Sequence, residues 1–258
     1  MSRHMFADRL ERSTAPTLEA PIKCANCPIA ERAVCAYCEP PELVELDQIK
    51  SYKSFEPGQE IVGAGEESVM VGSVVEGVVK LTKTLVDGRR QMVGLLFPSD
   101  FIGRAMRPTV EYDAVAATKV VLCAFPKSPF ERLLKRTPHL EQRLLEMTLD
   151  ELDAAREWLL LLGRKTAKEK VASFLCILAA RTGEFEGADA GRKHFQIPIS
   201  REDMADYLGL TIETVSRQIT ALRKDGVIEI DGPRRIVVSD LAELMETAGD
   251  DAEGGIIP

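Results

Sequence analysis

Between residues 53 and 125 the apolar positions come in short runs, many of them β-branched, at 69–75, 78–84 and 91–97. Turn residues fall around them: Glu56-Pro57-Gly58-Gln59, Glu76-Gly77, Asp87-Gly88 and Pro98-Ser99-Asp100. Strands this short, punctuated by Gly, Pro and Asp, predict an antiparallel barrel or jelly roll of about eighty residues. From Ser128 the period changes to that of a helix. Pro138 suits a first turn, and the segment continues through Leu162 to end at Gly163, with Leu145, Leu149, Leu152, Leu159 and Leu162 in a heptad-like stripe. So long a stripe exceeds what a small barrel can cover and predicts a dimer seam; the plainer alternative is a helix lying on the β-domain. Residues 166–181 read as another amphipathic helix, and 182–192 as a Gly-rich polar loop.

The C-terminal part carries sharper punctuation. Ser200 is placed to cap a helix, with Asp203 three residues on as a short-armed capping box. Gly209 then supplies a tight turn, and Thr211 caps a second helix running from near Glu213 to about Lys224, so the segment predicts a helix-turn-helix. Glu213, Ser216 and Arg217 share one face near the start of that helix. Arg can bond guanine O6 and N7, Glu can accept from a cytosine amino group, and Ser adapts to either. Residues 227–230 and 235–238, joined by Asp231-Gly232-Pro233-Arg234, predict a wing hairpin whose arginines could hold phosphate.

Charge refines this picture. The 258-residue chain has 33 Lys and Arg against 41 Asp and Glu, net −8, which excludes a uniformly basic nucleic-acid coat. Residues 214–224 nevertheless hold Arg217, Arg223 and Lys224 and no acid, a local +3. The long helix is acidic: residues 141–157 hold six acids and two arginines. Two such helices side by side repel by a few tenths of a kcal/mol per close pair, so a dimer built on them is marginal and switchable. No apolar run approaches the ~20 residues of a membrane span, and the first 25 residues have no apolar signal core, so a cytoplasmic protein without membrane contact is expected. His4, His139 and His194 stand in separate segments with no triad or ligand spacing, which argues against an enzyme. The residues after Glu243 are acidic and read as a frayed tail.

Four of the six cysteines, Cys24, Cys27, Cys35 and Cys38, crowd into fifteen residues as Cys24-Ala-Asn-Cys27 and Cys35-Ala-Tyr-Cys38. In a reducing compartment they read first as a metal or cluster site. An iron-sulfur cluster and zinc both take four thiolates, and redox thiols are a third possibility; spacing leaves these open. Cys176, inside Phe174-Leu-Cys-Ile-Leu178, reads as a buried core thiol.

A cysteine-rich N-terminus, a β-barrel, a long helix and a winged helix-turn-helix, in that order, resemble the CRP/FNR family of bacterial transcription regulators. Cys24-x2-Cys27-x7-Cys35, Val121-Leu-Cys-Ala-Phe-Pro126 and the 209–217 segment resemble its FNR branch of oxygen-sensing iron-sulfur regulators, of the alphaproteobacterial FnrL/FnrN type. The resemblance implies an α+β chain: a cluster-binding segment at 1–40, a jelly-roll, cyclic-nucleotide-binding-like barrel at 41–136, a dimerisation helix at 137–164, a winged helix-turn-helix at 165–243 and an acidic tail at 244–258. It implies a 4Fe-4S cluster on Cys24, Cys27, Cys35 and Cys123, with Cys38 an alternative to Cys35. It also implies a homodimer seamed by Leu145, Leu149, Leu152 and Leu159, active at low oxygen. DNA contacts fall to Glu213, Ser216, Arg217, Arg223 and Lys224 on a promoter palindrome like TTGAT-N4-ATCAA, and RNA polymerase would be met by barrel loops such as 86–91. The alternative is a zinc-stabilised regulator without oxygen sensing. Cyclic nucleotide is not expected, because the stretch 100–115 lacks the Arg-Ser pair that seizes the phosphate and offers Asp113 instead. Val34, beside Cys35, could shield a cluster, and Pro28 gives no backbone N-H to a sulfur.

Overall fold

The computed structural model describes residues 24–185 and 193–249. Two compact units are present, Met1–Val79 with Leu96–Arg143 and Lys80–Leu95 with Leu144–Pro258. A 3-10 turn at Cys24–Asn26 leads through further turns to helix α1 (Pro40–Ile49). Strands β1 (Ser51–Phe55), β2 (Glu60–Val62), β3 (Met70–Glu76), β4 (Val79–Thr84), β5 (Arg90–Leu96), β6 (Phe101–Ile102), β7 (Asp113–Ala116) and β8 (Val120–Pro126) follow. They form two four-stranded sheets in the orders β1-β8-β3-β6 and β2-β7-β4-β5, the antiparallel double sheet that the β-branched runs predict. Strands β3, β4 and β5 fall within a residue of the three predicted runs.

Strand β8 is buried from Val120 to Phe125 and β3 from Val71 to Val75. Their near-continuous apolar sequence suits strands covered on both faces. Gly72 on β3 is needed for their close approach, since a Cβ there would fall 2.4 Å from the Cys123 carbonyl oxygen. Helix α1 was not foreseen, although Glu39-Pro40-Pro41-Glu42 is a start signal: proline occupies the first turn and the Glu42 carboxylate accepts from the Glu39 N-H at 2.7 Å.

Helices α2 (Lys127–Leu134) and α3 (Pro138–Arg164) come next, then α4 (Ala167–Thr182). Thr166 caps α4, accepting from Glu169 N while Glu169 accepts from Thr166 N. The expected amphipathic helix here is instead enclosed: Lys170 to Ala179 are all buried, Cys176 among them. A helix buried over ten consecutive residues is a core helix, and α4 is the core of its unit. Around it lie β9 (Glu184–Phe185), β10 (Lys193–Gln196), α5 (Arg201–Leu208), α6 (Ile212–Lys224), β11 (Glu229–Asp231) and β12 (Arg235–Val238), the strands in the order β11-β12-β10-β9.

The stretch expected to be a frayed tail corrects in part. Leu241–Ala248 is helix α7, capped by Asp240, whose carboxylate accepts from Ala242 N at 2.8 Å, and closed by Gly249 at φ 73°. It packs on α4 through fully buried Leu244 and Ala248. Acidic residues misled the reading because they occupy only the outer face; positions 250–258 lie outside the described residues. Leu244→Ala is expected to destabilise this unit by about 3 kcal/mol, measured by urea unfolding followed by circular dichroism; a neutral result would return the segment to a tail.

Candidate functional site

Cys123 stands mid-strand in β8, and the register sets Tyr52 of β1 opposite it on one side and Ser73 of β3 on the other. Directly opposed residues share a sheet face, so the three side chains form one cross-strand row. The N-terminal arm meets this row through its turns, in which Cys27 N donates to Cys24 O at 3.3 Å and Cys38 N to Cys35 O at 3.1 Å. The result is a pocket lined by Cys24, Cys27, Cys35 and Cys123, with Tyr52 and Ser73 and with apolar walls from Ile29, Ala33, Val34, Leu46 and Phe125. Cys38 is not among its lining residues.

Burial pushes the Cys35 thiol up to about 11 and that of Cys123 up to about 12, and the neighbouring cysteines add to both shifts. Cys38 is pushed up to about 12 by burial, Cys35 and Glu42. Burial and then Asp47 raise Cys24, against the opposing pull of Lys50, whose ammonium donates to the Cys24 sulfur at 3.3 Å. Such thiols hold their protons until a cation compensates the thiolate charge, so any metal-bearing group that binds here displaces protons. The Ser73 hydroxyl is buried with no hydrogen-bond partner among the described residues, leaving a donor beside the sulfurs. Soft thiolates, a spare hydroxyl and dry walls fit an iron-sulfur centre. Among the described residues no three His, Cys, Asp or Glu side chains converge on a single ion.

The arm also grips the start of α3. Arg143 donates to the Arg32 carbonyl at 2.8 Å, and its guanidinium lies 5.4 Å from the Tyr37 ring centroid. The His139 ring nitrogen is 3.1 Å from the Glu42 carboxylate, which raises the imidazole above its ordinary value, and Arg136 pairs with Glu45. Further along α3, Leu145, Leu149, Leu152 and Leu159 are 45 to 72% exposed. Leu162 departs from that stripe, half-buried close to Gly209.

In the second unit the helix-turn-helix is built as the capping residues predict. Asp203 N donates to the Ser200 hydroxyl at 3.0 Å and Ser200 N to the Asp203 carboxylate at 3.3 Å. Gly209 takes φ 61°, the left-handed conformation that ends α5, and Thr211 caps α6. Helix α6 buries Val215, Ile219 and Leu222 and exposes Glu213, Ser216, Arg217, Arg223 and Lys224. In the wing, Arg235 pairs with Asp231 at 3.3 Å while Arg234 is exposed. The β4–β5 hairpin belongs to this unit and holds α5: Lys80 bonds Asp203 at 2.8 Å, and Arg90 bonds Asp206 at 2.7 Å. Trp158 of α3 stacks on Tyr207 with ring centroids 4.0 Å apart, and Phe174 meets Tyr207 edge-on.

Sequence reasoning missed Lys50, Lys80 and Arg143. Their partners lie 26, 123 and 111 positions away, separations that no local pattern encodes. In the stretch read against cyclic nucleotides, Asp113 accepts from Ala64 N at 2.8 Å and Asp100 from Phe97 N at 2.7 Å, so both acids brace loops. Among the described residues no helix is long and apolar enough to cross a membrane.

Comparison with known proteins gives a Crp-like helix-turn-helix domain over residues 169–247 and a cyclic nucleotide-binding domain over 52–137. The chain is 56% identical over 235 residues to the transcriptional activator protein FnrL of Cereibacter sphaeroides, covering 91% of this chain and 95% of that one. It is 40% identical over 207 residues to the nitrogen fixation regulation protein FixK of Bradyrhizobium diazoefficiens, 80% of this chain and 86% of that one. The solved structure of FixK2 from Bradyrhizobium japonicum matches with a TM-score of 0.70 at 35% identity, over 79% of this chain and 98% of that one.

Burial alone would raise the Asp203 carboxyl, but Lys80 and the Ser200 hydroxyl and N-H bring it below the usual carboxylate range. A depressed folded value gives stability that is complete above the unfolded value of about 3.9 and is lost as pH falls through the folded one. Asp203→Asn is therefore expected to lower the melting temperature of this unit at neutral pH and to flatten its loss of stability below about pH 4. Thermal melts across that range check both effects.

Proposed function

Because the chain belongs to the CRP/FNR family of transcription regulators, which bind DNA through a helix-turn-helix, we propose that it is an oxygen-responsive member acting as a homodimer in the cytoplasm. The observation that carries this reading is the pocket in which three cysteines of the arm meet Cys123 of the barrel. Cys24, Cys27, Cys35 and Cys123 would hold a 4Fe-4S cluster. When bound, that group supplies an oxygen-labile bridge between arm and barrel.

The chain's own residues do the rest. With the arm seated, the Arg32 carbonyl and the Tyr37 ring hold Arg143, and Glu42 holds His139, which fixes the first turns of α3. A fixed helix presents Leu145, Leu149, Leu152 and Leu159 in register to a second copy. Their burial offsets the like-charge repulsion of the acidic face, which costs a few tenths of a kcal/mol per close pair. When the arm lets go, α3 loses these supports, repulsion prevails and the dimer loosens. While the dimer is held together, its two recognition helices reach half-sites about one helical turn apart, on a palindrome like TTGAT-N4-ATCAA. In each, Glu213, Ser216 and Arg217 face base edges while Arg223, Lys224 and the wing's Arg234 take phosphate. The candidate surface for RNA polymerase is the segment 86–91 at the β4–β5 turn, where Val86 is fully exposed. No cyclic nucleotide is required.

Air-free protein is expected to contain iron and acid-labile sulfide. Single Cys→Ala changes at Cys24, Cys27, Cys35 or Cys123 should abolish the visible absorbance and weaken promoter binding, while Cys38→Ala spares both. Zinc near one per chain without sulfide would overturn the sensor reading in favour of the structural-zinc alternative. Val34 is buried at the pocket wall, so Val34→Gly should speed the aerobic decay of that absorbance.

On DNA, Arg217→Ala should cost about 1–3 kcal/mol at the cognate site and relax specificity at one base position. Lys224→Ala should instead weaken binding evenly across sequences and reduce the salt dependence by about one unit of slope. Fluorescence anisotropy at several salt concentrations separates the two.

A further inference from the structure

Lys50 ends helix α1 at its C-cap, where a cation complements the partial negative charge of the helix terminus. A lysine so placed ordinarily extends into water. This one turns inward: its side chain is 8% exposed, while its ion-pair partner Asp47 is 46% exposed. The ammonium lies 3.3 Å from the Cys24 sulfur and 5.5 Å from the centroid of the Tyr52 ring, and Tyr52 lines the same pocket. Asp47 also accepts from the Cys24 backbone N-H at 3.4 Å, so carboxylate, ammonium and cysteine form one unit at the pocket rim. A lysine taken out of water is costly unless its charge is used.

We propose that Lys50 is a positioning residue that sets how firmly the iron-sulfur centre holds its electrons, and hence how fast air disables the protein. This rests on the cluster reading above and deepens it. Four thiolates leave such a centre anionic, and a positive charge against one ligand sulfur favours the more electron-rich state. Dry walls strengthen the effect, because little solvent screens the pair. Oxidation by dioxygen removes one electron from the centre and leaves superoxide. The centre then carries one negative charge fewer, so it loses attraction to the ammonium, and Lys50 opposes the step. Asp47 acts in the reverse sense by drawing on the same ammonium.

The signs make a test. Full-length protein loaded with iron and sulfide without air is compared as wild type, Lys50→Met, Lys50→Arg and Asp47→Asn. The readouts are the midpoint potential and the rate of absorbance loss on admitting air. Lys50→Met should shift the potential in the negative direction and quicken decay several-fold, Lys50→Arg should stay near wild type, and Asp47→Asn should shift the potential positively and slow the decay. A lysine that merely staples the end of α1 gives a different pattern, with both neutral variants decaying faster or neither changing, and either result overturns the inference. If Lys50→Met takes up no iron, the sign of the Asp47→Asn shift decides. Wild type lacking sulfide would overturn the cluster reading and this inference together, whereas loaded variants indistinguishable from wild type overturn this inference alone.

Discussion

A cysteine held in the middle of a fully paired, doubly covered strand is the fixed point of this protein. Cys123 cannot shift without breaking the β1-β8-β3 ladder, and Gly72 lets the neighbouring strand press against its backbone. Everything mobile in the proposed switch is defined relative to that rigid sulfur. The arm brings three further thiols to it, α1 brings Lys50 and Asp47, and the same arm reaches Arg143 on the long helix. A rigid anchor and a short, turn-rich arm suit the proposed switch, since the holding energy of whatever bridges them is spent on one conformation.

The DNA-binding unit is organised on a different principle. Its core helix is buried from Lys170 to Ala179, and its second motif helix keeps a narrow basic face within a chain of net −8. Local charge of that kind steers the recognition helix without coating the whole surface, so the acidic remainder repels stray phosphate. Ion pairs join the hairpin residues Lys80 and Arg90 to α5, and Gln91 donates to the Tyr207 carbonyl beside them. The Asp203 carboxylate serves two masters here, accepting from the N-H of the cap residue Ser200 and taking the lysine.

Much of this was legible in one dimension. The β-runs, the long helix from Pro138, the caps at Ser200 and Thr211 and the glycine turn at Gly209 are signals written within four or five residues of the structure they dictate. The cysteine spacing pointed to the arm and the chain's likeness to a known family pointed to Cys123, and these four residues line one pocket. What stayed hidden depends on contacts across the fold. Neither Lys50 against a sulfur nor Arg143 on a carbonyl of the arm leaves any periodic trace. Helix α7 was obscured because its acids occupy the outer face while its Leu244 and Ala248 are inside, and α4 looked amphipathic because buried Lys170 and Ser173 imitate a polar side. Pro40-Pro41 shows the opposite failure, a start signal present but overshadowed by the cysteines beside it.

The stacked pair of Trp158 and Tyr207 has a practical corollary. The chain contains a single tryptophan, and it sits where the far end of the long helix meets the first helix of the DNA-binding motif. Its indole emission is therefore a built-in optical gauge of that junction, readable in unlabelled protein and reporting from one known place whether the two helices remain in register.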